Sequence, residues 1–490
     1  MRAPPTKRGL RPAPPSLVAR LSGDIRLEAQ ADGSVAACFD GYSTSLGKFT
    51  SRALEEAQDL RTGLPLGALA PDGGAVDREI DLLVRRLARR GLLEYRLGEV
   101  GGKTFEVIIE PQIPDYWPHM PKLGANDVIV LSRFAYLRRR GNAMVLESPR
   151  AGALFRIGDP KIVAFLALLS TPQKLAKLRR QESFSGTELL ALLVDCQILF
   201  KTDAGSERDL RPVEGDDSLV LWDFHDLLFH TRSTEGRNAN PLGGRYPYAD
   251  LMPLPPAVLP RWPGTEIDLG KPAAPDPGLP SPFARLLHER HSARDFDDRQ
   301  PITLAELSRF LESTARIQSK WADSLDFGDD GPAIDHAARP YPSGGGAYPL
   351  ELYLAVANCD GLARGFYHYD ADRHALVLID VRPQELEAML SAAQFAMGAD
   401  AVPQLLITIA ARFGRVSWKY SSVAYSLILK EVGVLTQTFY LMATEMGLGG
   451  CAIGSLNIDL FAKATGLEFH VEGPVGQFAI GRGSEAAVSE

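Results

Sequence analysis

At 490 residues with a 45 % hydrophobic composition, the chain is long enough for two or three domains with their own cores. Its 53 basic against 61 acidic residues leave a net charge of −8, which excludes a globally basic nucleic-acid binder and leaves room only for a local basic module. Four cysteines (Cys38, Cys196, Cys359, Cys451), with no CxxC pair and no metal-ligand spacing, argue against a disulfide framework or a zinc site and suit a reducing cytoplasm.

The basic, Pro-rich start, residues 1–23, lacks the apolar run and small-residue cleavage site of a signal peptide and reads as a disordered arm. From there to about residue 205 one pattern occurs twice. In the first copy, apolar runs at Ile25–Ala29 and Val35–Phe39 flank the Asp32-Gly33 turn. Val76, Ile80, Leu83 and Leu87 then share a helical face that stops at Gly91, and the strand-like Leu92–Tyr95 follows. In the second copy, Val128–Leu137 and Ala143–Leu146 flank the Gly141-Asn142 turn, and a helix near Thr187–Cys196 leads into Ile198–Phe200. Ile25 to Val128 is an offset of 103 residues and Leu92 to Ile198 one of 106. Hairpin-plus-helix modules of this size are what tandem winged-helix domains look like, over 24–112 and 113–210; two unrelated small α+β regions are the plainer alternative.

A connector over 211–280 follows, and the nine prolines between Leu251 and Pro280 favour an extended path. Just before them, His225 and His230 stand near Asp223 and Asp226, but the spacing is not that of a zincin helix, so no metal is assigned. The most apolar long stretch, Val423–Leu448, carries Lys430, Glu431 and Gln437 and therefore reads as a buried helix, with no membrane span.

Residues 281–490 carry the chemistry. Arg290, Ser292 and Arg294 alternate, so an extended backbone sends two guanidinium forks and a hydroxyl to one side, where they can converge on a phosphate; solvated charges at a helix end are the bland alternative. Thr303 and Glu306 form a capping box for a helix whose Leu304, Leu307, Phe310 and Leu311 share a face. In Arg339–Pro349, three successive glycines flanked by Pro342 and Pro349 make a stiff loop that lets a flat ring or another backbone approach, without Walker or Rossmann spacing. Lys419 beside Tyr420 pairs a cation with a phenol whose pKa it can lower, a pairing suited to proton relay, although an exposed helix start has the same look.

Taken in order, Arg290-His-Ser-Ala-Arg294, the Pro342-Ser-Gly-Gly-Gly346 loop and the long helix ending in Gly447-Leu-Gly-Gly-Cys451 resemble the nitroreductase superfamily of flavin mononucleotide (FMN) proteins. Trp222–His230, Tyr341–Pro349 and Trp418–Tyr420 look like its SagB/ThcOx branch, the azoline dehydrogenases. The resemblance implies an α+β fold: a nitroreductase-like FMN domain with a central, antiparallel-rich sheet wrapped by helices, preceded by two winged-helix-like peptide clamps. It places Arg290, Ser292 and Arg294 on the FMN phosphate and ribityl chain, Ser343, Gly344 and Gly345 against the isoalloxazine, and Gly450 and Cys451 near its other side. Arg482 is a weaker phosphate contact, and Lys419 and Tyr420 match the family's catalytic pair.

The implied reaction is oxidation of thiazoline or oxazoline rings in a ribosomally made precursor peptide, with oxygen as final acceptor. The implied partners are that peptide, a cyclodehydratase and a second copy of the chain, since such domains are homodimers with FMN at the interface. Arg85, Arg86, Arg89, Arg90 and Arg138–Arg140 could attract an acidic leader peptide or a phosphate backbone. The rival readings are an azoline oxidase of a nonribosomal pathway, an NAD(P)H-dependent nitroreductase, and, from another class, a winged-helix DNA-binding regulator with a flavin sensor domain. Overall acidity disfavours the last.

Overall fold

The computed structural model describes residues 16–483 apart from 24, 40–41, 70–73, 99–106, 114, 182–185, 204–213, 215–216, 235–248, 250, 259–260, 262, 271–280 and 325–332. Most of the expected arm and much of the expected connector lie outside the described residues. The chain forms two compact units, 1–239 and 240–490. Both mix helices with antiparallel sheets, which is the α+β class expected. No helix among the described residues is long and apolar enough to cross a membrane.

The strands of the first unit are, in chain order, β1 (Ser16–Leu21), β2 (Arg26–Ala29), β3 (Ser34–Phe39), β4 (Tyr42–Lys48), β5 (Leu64–Pro65), β6 (Leu93–Gly98), β7 (Val107–Pro111), β8 (Val128–Leu131), β9 (Tyr136–Arg140), β10 (Ala143–Glu147), β11 (Ala153–Ile157), β12 (Gln173–Lys174) and β13 (Leu199–Lys201). Helix α1 (Ala75–Arg89) buries Ile80, Leu83, Val84 and Leu87 and ends before Gly91, whose φ of +64° suits a residue without a side chain. Helix α2 (Thr187–Asp195) buries Leu189, Leu190, Leu192 and Leu193.

One arrangement of strands recurs in the pairing. β1 lies between β5 and β6, and β8 lies between β12 and β13, with a helix preceding the last strand each time. The run 128–137, read from sequence as one strand, is two, because the Ser132 side chain accepts from the Phe134 N–H and a turn closes from the Ala135 N–H to the Ser132 carbonyl at 3.0 Å. The hairpin equivalent to β2–β3 is therefore β9–β10. The two copies also join: β6 pairs with β7 and β7 with β11, so one seven-stranded sheet runs β5-β1-β6-β7-β11-β10-β9 across the expected 112/113 boundary. One core, including Leu87, Tyr95, Phe155, Phe165 and Leu190, lies behind it.

Helix α3 (Phe224–Arg232) belongs to this unit. Arg133 donates to the Trp222 carbonyl at 2.8 Å, Arg232 pairs with Glu147 at 3.1 Å, and Trp222 stacks on His230 at 5.8 Å.

The second unit holds α4 (Pro282–Glu289), α5 (Leu304–Ala315), the hairpin β14 (Ser319–Ser324) and β15 (Ala333–Ala338), β16 (Leu350–Val356), β17 (Gly365–Asp370), β18 (Ala375–Ile379), α6 (Pro383–Met397), β19 (Leu405–Arg412), α7 (Gly414–Ser417), α8 (Ala424–Glu445), β20 (Gly449–Ile453), α9 (Ile458–Thr465) and β21 (Glu472–Gly481). Six strands form an antiparallel sheet in the order β18-β17-β16-β19-β21-β20. Alternation along β21 assigns its two faces. Phe478 packs on Phe439 and Tyr440 of α8 at 5.4 and 5.0 Å, whereas Ala479 sits in a core with Leu390 of α6 and Phe461 of α9. The sheet is thus covered by helices on both faces, and α8 is the layer that carries the site.

Candidate functional site

Two clusters of the predicted residues lie along α8. At its C-terminal half, the segment after α4 runs beside β20, tied by the Ala293 N–H to the Gly450 carbonyl at 2.9 Å. The Ser292 hydroxyl is 2.8 Å from the Tyr440 hydroxyl, and the Arg290 guanidinium lies over the Tyr440 ring at 5.1 Å. Tyr440 also accepts from the Ala452 N–H at 2.8 Å, so this one phenol fixes helix, strand and arginine segment together. Arg290 and Arg294 have no carboxylate partner among the described residues. Arg294 is close enough to Cys451 to lower its thiol pKa, although burial outweighs it and holds the thiol above the usual range.

The glycines of this cluster serve packing. A Cβ on Gly450 would collide with the Phe478 ring, and one on Gly449 would stand 2.7 Å from the Ala293 Cβ. Arg482 is tied elsewhere: its guanidinium is 2.6 Å from Glu306, and its N–H is held by the buried Gln404 at 2.9 Å. Burial pushes the Glu306 carboxyl up, but bonds from Arg482 and Thr303 outweigh it and hold the group below its usual range.

The second cluster surrounds the glycine loop, near the start of α8. Gly345 has φ +62°, a Cβ there would collide with the Tyr420 hydroxyl, and the same Cβ would be 2.8 Å from Lys419 Nζ. Lys419 donates to the Gly345 carbonyl at 3.2 Å, and its ammonium lies 5.5 Å from the Tyr420 ring centre. Both side chains predicted to act together therefore meet on the main chain of the loop. Lys419 is exposed and Tyr420 half-buried.

Ser343 is bonded on both sides within the protein. Its hydroxyl donates to Glu431 at 2.6 Å and accepts from the Tyr348 N–H at 2.8 Å, so it braces the loop. Glu431 is buried in α8, and burial raises its carboxyl pKa against the pull of the Ser343 hydroxyl and the Arg339 cation. Glu431 Oε1 and the hydroxyl of Tyr341 are buried without a hydrogen-bond partner among the described residues. Glu431 and Tyr440 are the residues that the motifs did not single out. The signal for Glu431 was present, as an acid inside an apolar helix.

The arginines read as a basic patch are engaged by the chain itself. Arg85 pairs with Asp81 at 3.0 Å, Arg89 with Asp115 at 3.4 Å, Arg138 with Glu147 and Arg140 with Glu110 at 2.6 Å each. Arg86 donates to the Leu46 carbonyl and Arg90 to the Ser45 carbonyl.

Segments of both units resemble known proteins. The model of the cyanobactin oxidase ThcOx family matches residues 129–239, and that of the nitroreductase family matches 287–482. A Methanocaldococcus jannaschii protein named as a nitroreductase, MJ1384, is 31 % identical over 170 residues, which are 35 % of this chain and 77 % of that protein. The trifolitoxin-processing protein TfxB of Rhizobium leguminosarum bv. trifolii is 24 % identical over 151 residues, 30 % of this chain and 40 % of TfxB. Among solved structures, the E. coli microcin synthetase McbBCD complex with truncated pro-MccB17 bound is similar at 20 % identity and a TM-score of 0.38, over 54 % of this chain and 95 % of that one. The chain belongs to the nitroreductase family, in its SagB/ThcOx-type branch.

Proposed function

We propose that the chain is an FMN-dependent azoline dehydrogenase, oxidising thiazoline or oxazoline rings of a ribosomally made peptide to thiazoles or oxazoles, with oxygen as final acceptor. The observation that carries the proposal is the convergence of Lys419 and Tyr420 on the Gly345 main chain. The residues present fit FMN. Arg290 and Arg294, free of carboxylate partners among the described residues, and the Ser292 hydroxyl make a donor set suited to a phosphate. Glu431 follows Gly344's neighbour Leu427 by about one turn of α8, and Tyr440 lies nine residues further on, ~14 Å at 1.5 Å per residue, a span of the order of an extended mononucleotide.

Bound there, FMN supplies a two-electron acceptor for the hydride leaving the ring. The protein's own contribution is placement and proton handling. Arg290 and Arg294 hold the phosphate, while Ser343, braced by Glu431, fixes the loop so that Gly344 and Gly345 present main chain to the flat ring. Tyr420, acting as the phenolate with the Lys419 ammonium as its counter-charge, takes the proton from the ring carbon at its oxygen and becomes the phenol. One hydride and one proton account for the two hydrogens lost on aromatisation.

Three accompanying parts belong to the same proposal. The paired three-stranded motifs of the first unit act as winged-helix-like clamps for the peptide, to which a cyclodehydratase docks. A second copy covers α4, which buries none of its residues and leaves Phe283 59 % and Leu287 46 % exposed. The four unpaired cysteines suit work in the cytoplasm. Azoline consumption without added NADPH, abolished by Lys419→Ala or Tyr420→Phe in FMN-loaded protein, is the expected result. Strict dependence on NADPH would favour a nitroreductase instead.

A further inference from the structure

The hairpin β14–β15 is a two-stranded sheet, so among the described residues the edge of β15 away from β14 has no strand beside it. Asp335 and Ala337 on that strand line a cleft of ≈ 370 Å³ whose other walls include residues of β16 and β17 together with Arg412 and Arg415. Arg415 reaches the Asp335 carbonyl at 3.0 Å, which marks that group as pointing away from β14. Backbone groups alternate along a strand, so Ala337 presents its N–H and C=O the same way, into the cleft. An open edge of this kind is a template for an added strand.

The charges around it are uneven. Asp372 is taken by Lys320 at 2.8 Å and Asp370 by Arg373 at 3.4 Å. Glu351 faces Arg339 at 3.5 Å, His368 at 3.6 Å and Arg412 at 3.7 Å, and Glu472, the cross-strand partner of Arg412, lies near Arg412 and His368 as well. Arg415 finds only main-chain carbonyls, and Arg339 Nε is buried without a partner among the described residues. The exposed Asp335 carboxylate also lines the cleft. Arg412, with its side chain 52 % exposed, has a face open to a further carboxylate.

The cleft adjoins the glycine loop. His336 Nδ1 is 3.8 Å from where a Cβ on Gly346 would stand, and Arg415 donates to the carbonyl of Ala347, the next residue, at 3.2 Å. Arg415 also precedes Lys419 by four residues. We infer that an extended stretch of the substrate peptide pairs with the open edge of β15 as a third strand, and that Arg412 and Arg415 hold a carboxylate side chain flanking the reacting ring. This rests on the azoline reading above and names a specificity element within it: rings with an acidic residue nearby are preferred.

The test uses the full FMN-loaded protein and a short fluorescein-labelled thiazole peptide with Asp near the ring, beside its Asn counterpart, read by anisotropy. The Asp peptide binds about tenfold more tightly, the loss expected for one charge-assisted contact. Arg412→Glu removes that preference, and a Lys peptide then binds the variant better than the Asp peptide does. Ala337→Pro, which removes one outward N–H from an edge strand, weakens both peptides alike and leaves melting temperature and flavin absorbance unchanged. Equal affinities for the Asp and Asn peptides, together with wild-type binding by both variants, overturn the inference. The expected binding pattern without oxidation of the corresponding thiazoline peptide would leave the edge site standing and refute the azoline reading.

Discussion

Replacing Gly345 by alanine probes the convergence on which the proposed chemistry depends. The glycine sits at φ +62°, and a Cβ there runs into the Tyr420 hydroxyl and comes within 2.8 Å of Lys419 Nζ. Holding alanine in the left-handed region costs ~1–2 kcal/mol. Losing the hydrogen bond from Lys419 to the Gly345 carbonyl adds about 1 kcal/mol. Together these predict a melting temperature lower by about 5–10 °C for a unit of this size. Because Tyr420 must swing away, kcat for azoline oxidation should fall by ~100-fold or more, the usual contribution of a positioned proton-transfer group. FMN affinity should also fall, because Gly345 is proposed to face the flavin ring, but by less than on loss of Arg290 and Arg294, which lie in the other cluster. The assay is stopped-flow reduction of bound flavin by an azoline peptide, alongside flavin titration and thermal melting. A folded Gly345→Ala variant with wild-type kcat would refute the reasoning.

Two other perturbations separate cofactor holding from loop bracing. Joint replacement of Arg290 and Arg294 by alanine should weaken FMN binding by ~100-fold or more, at about 1.5 kcal/mol or more for each charged contact, with no loss of fold; fluorescence titration reads it. Glu431→Gln should act through pH. Burial raises the Glu431 carboxyl above its ordinary 4.5, so the native chain binds that proton more tightly than the unfolded chain and loses stability as pH rises through the interval above 4.5. The amide cannot titrate and still accepts from Ser343, so its melting temperature should exceed that of wild type by a margin that widens with pH over that interval. Parallel melting-temperature curves would show that Glu431 carries no such shift.

What was legible in the sequence is what local chemistry fixes. Thr303 and Glu306 announce their capping box, and it forms with Glu306 reaching back to the Thr303 N–H at 2.9 Å. Gly91, Gly141 and Gly345 stand where the chain takes positive φ. The alternation of Arg290 and Ser292 survives as two side chains meeting on Tyr440, and Lys419 and Tyr420 meet at one glycine. What was not legible needs partners distant in the chain. Nothing near Tyr95 says that β6 will pair with β7 and merge two copies into one sheet. Glu431 looked like an obstacle to a membrane span until Ser343, 88 residues away, was found bonded to it. Strands β14 and β15 escaped because neither Ser-Lys-Trp-Ala-Asp-Ser nor Ala-Ile-Asp-His-Ala-Ala carries an apolar alternation. Conversely, Arg138 and Arg140 look free in sequence, and only the sheet brings Glu147 and Glu110 across to them.

The most direct test of the central claim is to load the purified full chain with FMN and incubate it in air with a thiazoline-containing peptide, without NAD(P)H. The account predicts loss of two hydrogens from the peptide by mass spectrometry, transient bleaching of the flavin and formation of hydrogen peroxide. Tight FMN binding with an unchanged peptide mass across thiazoline and oxazoline substrates would contradict it.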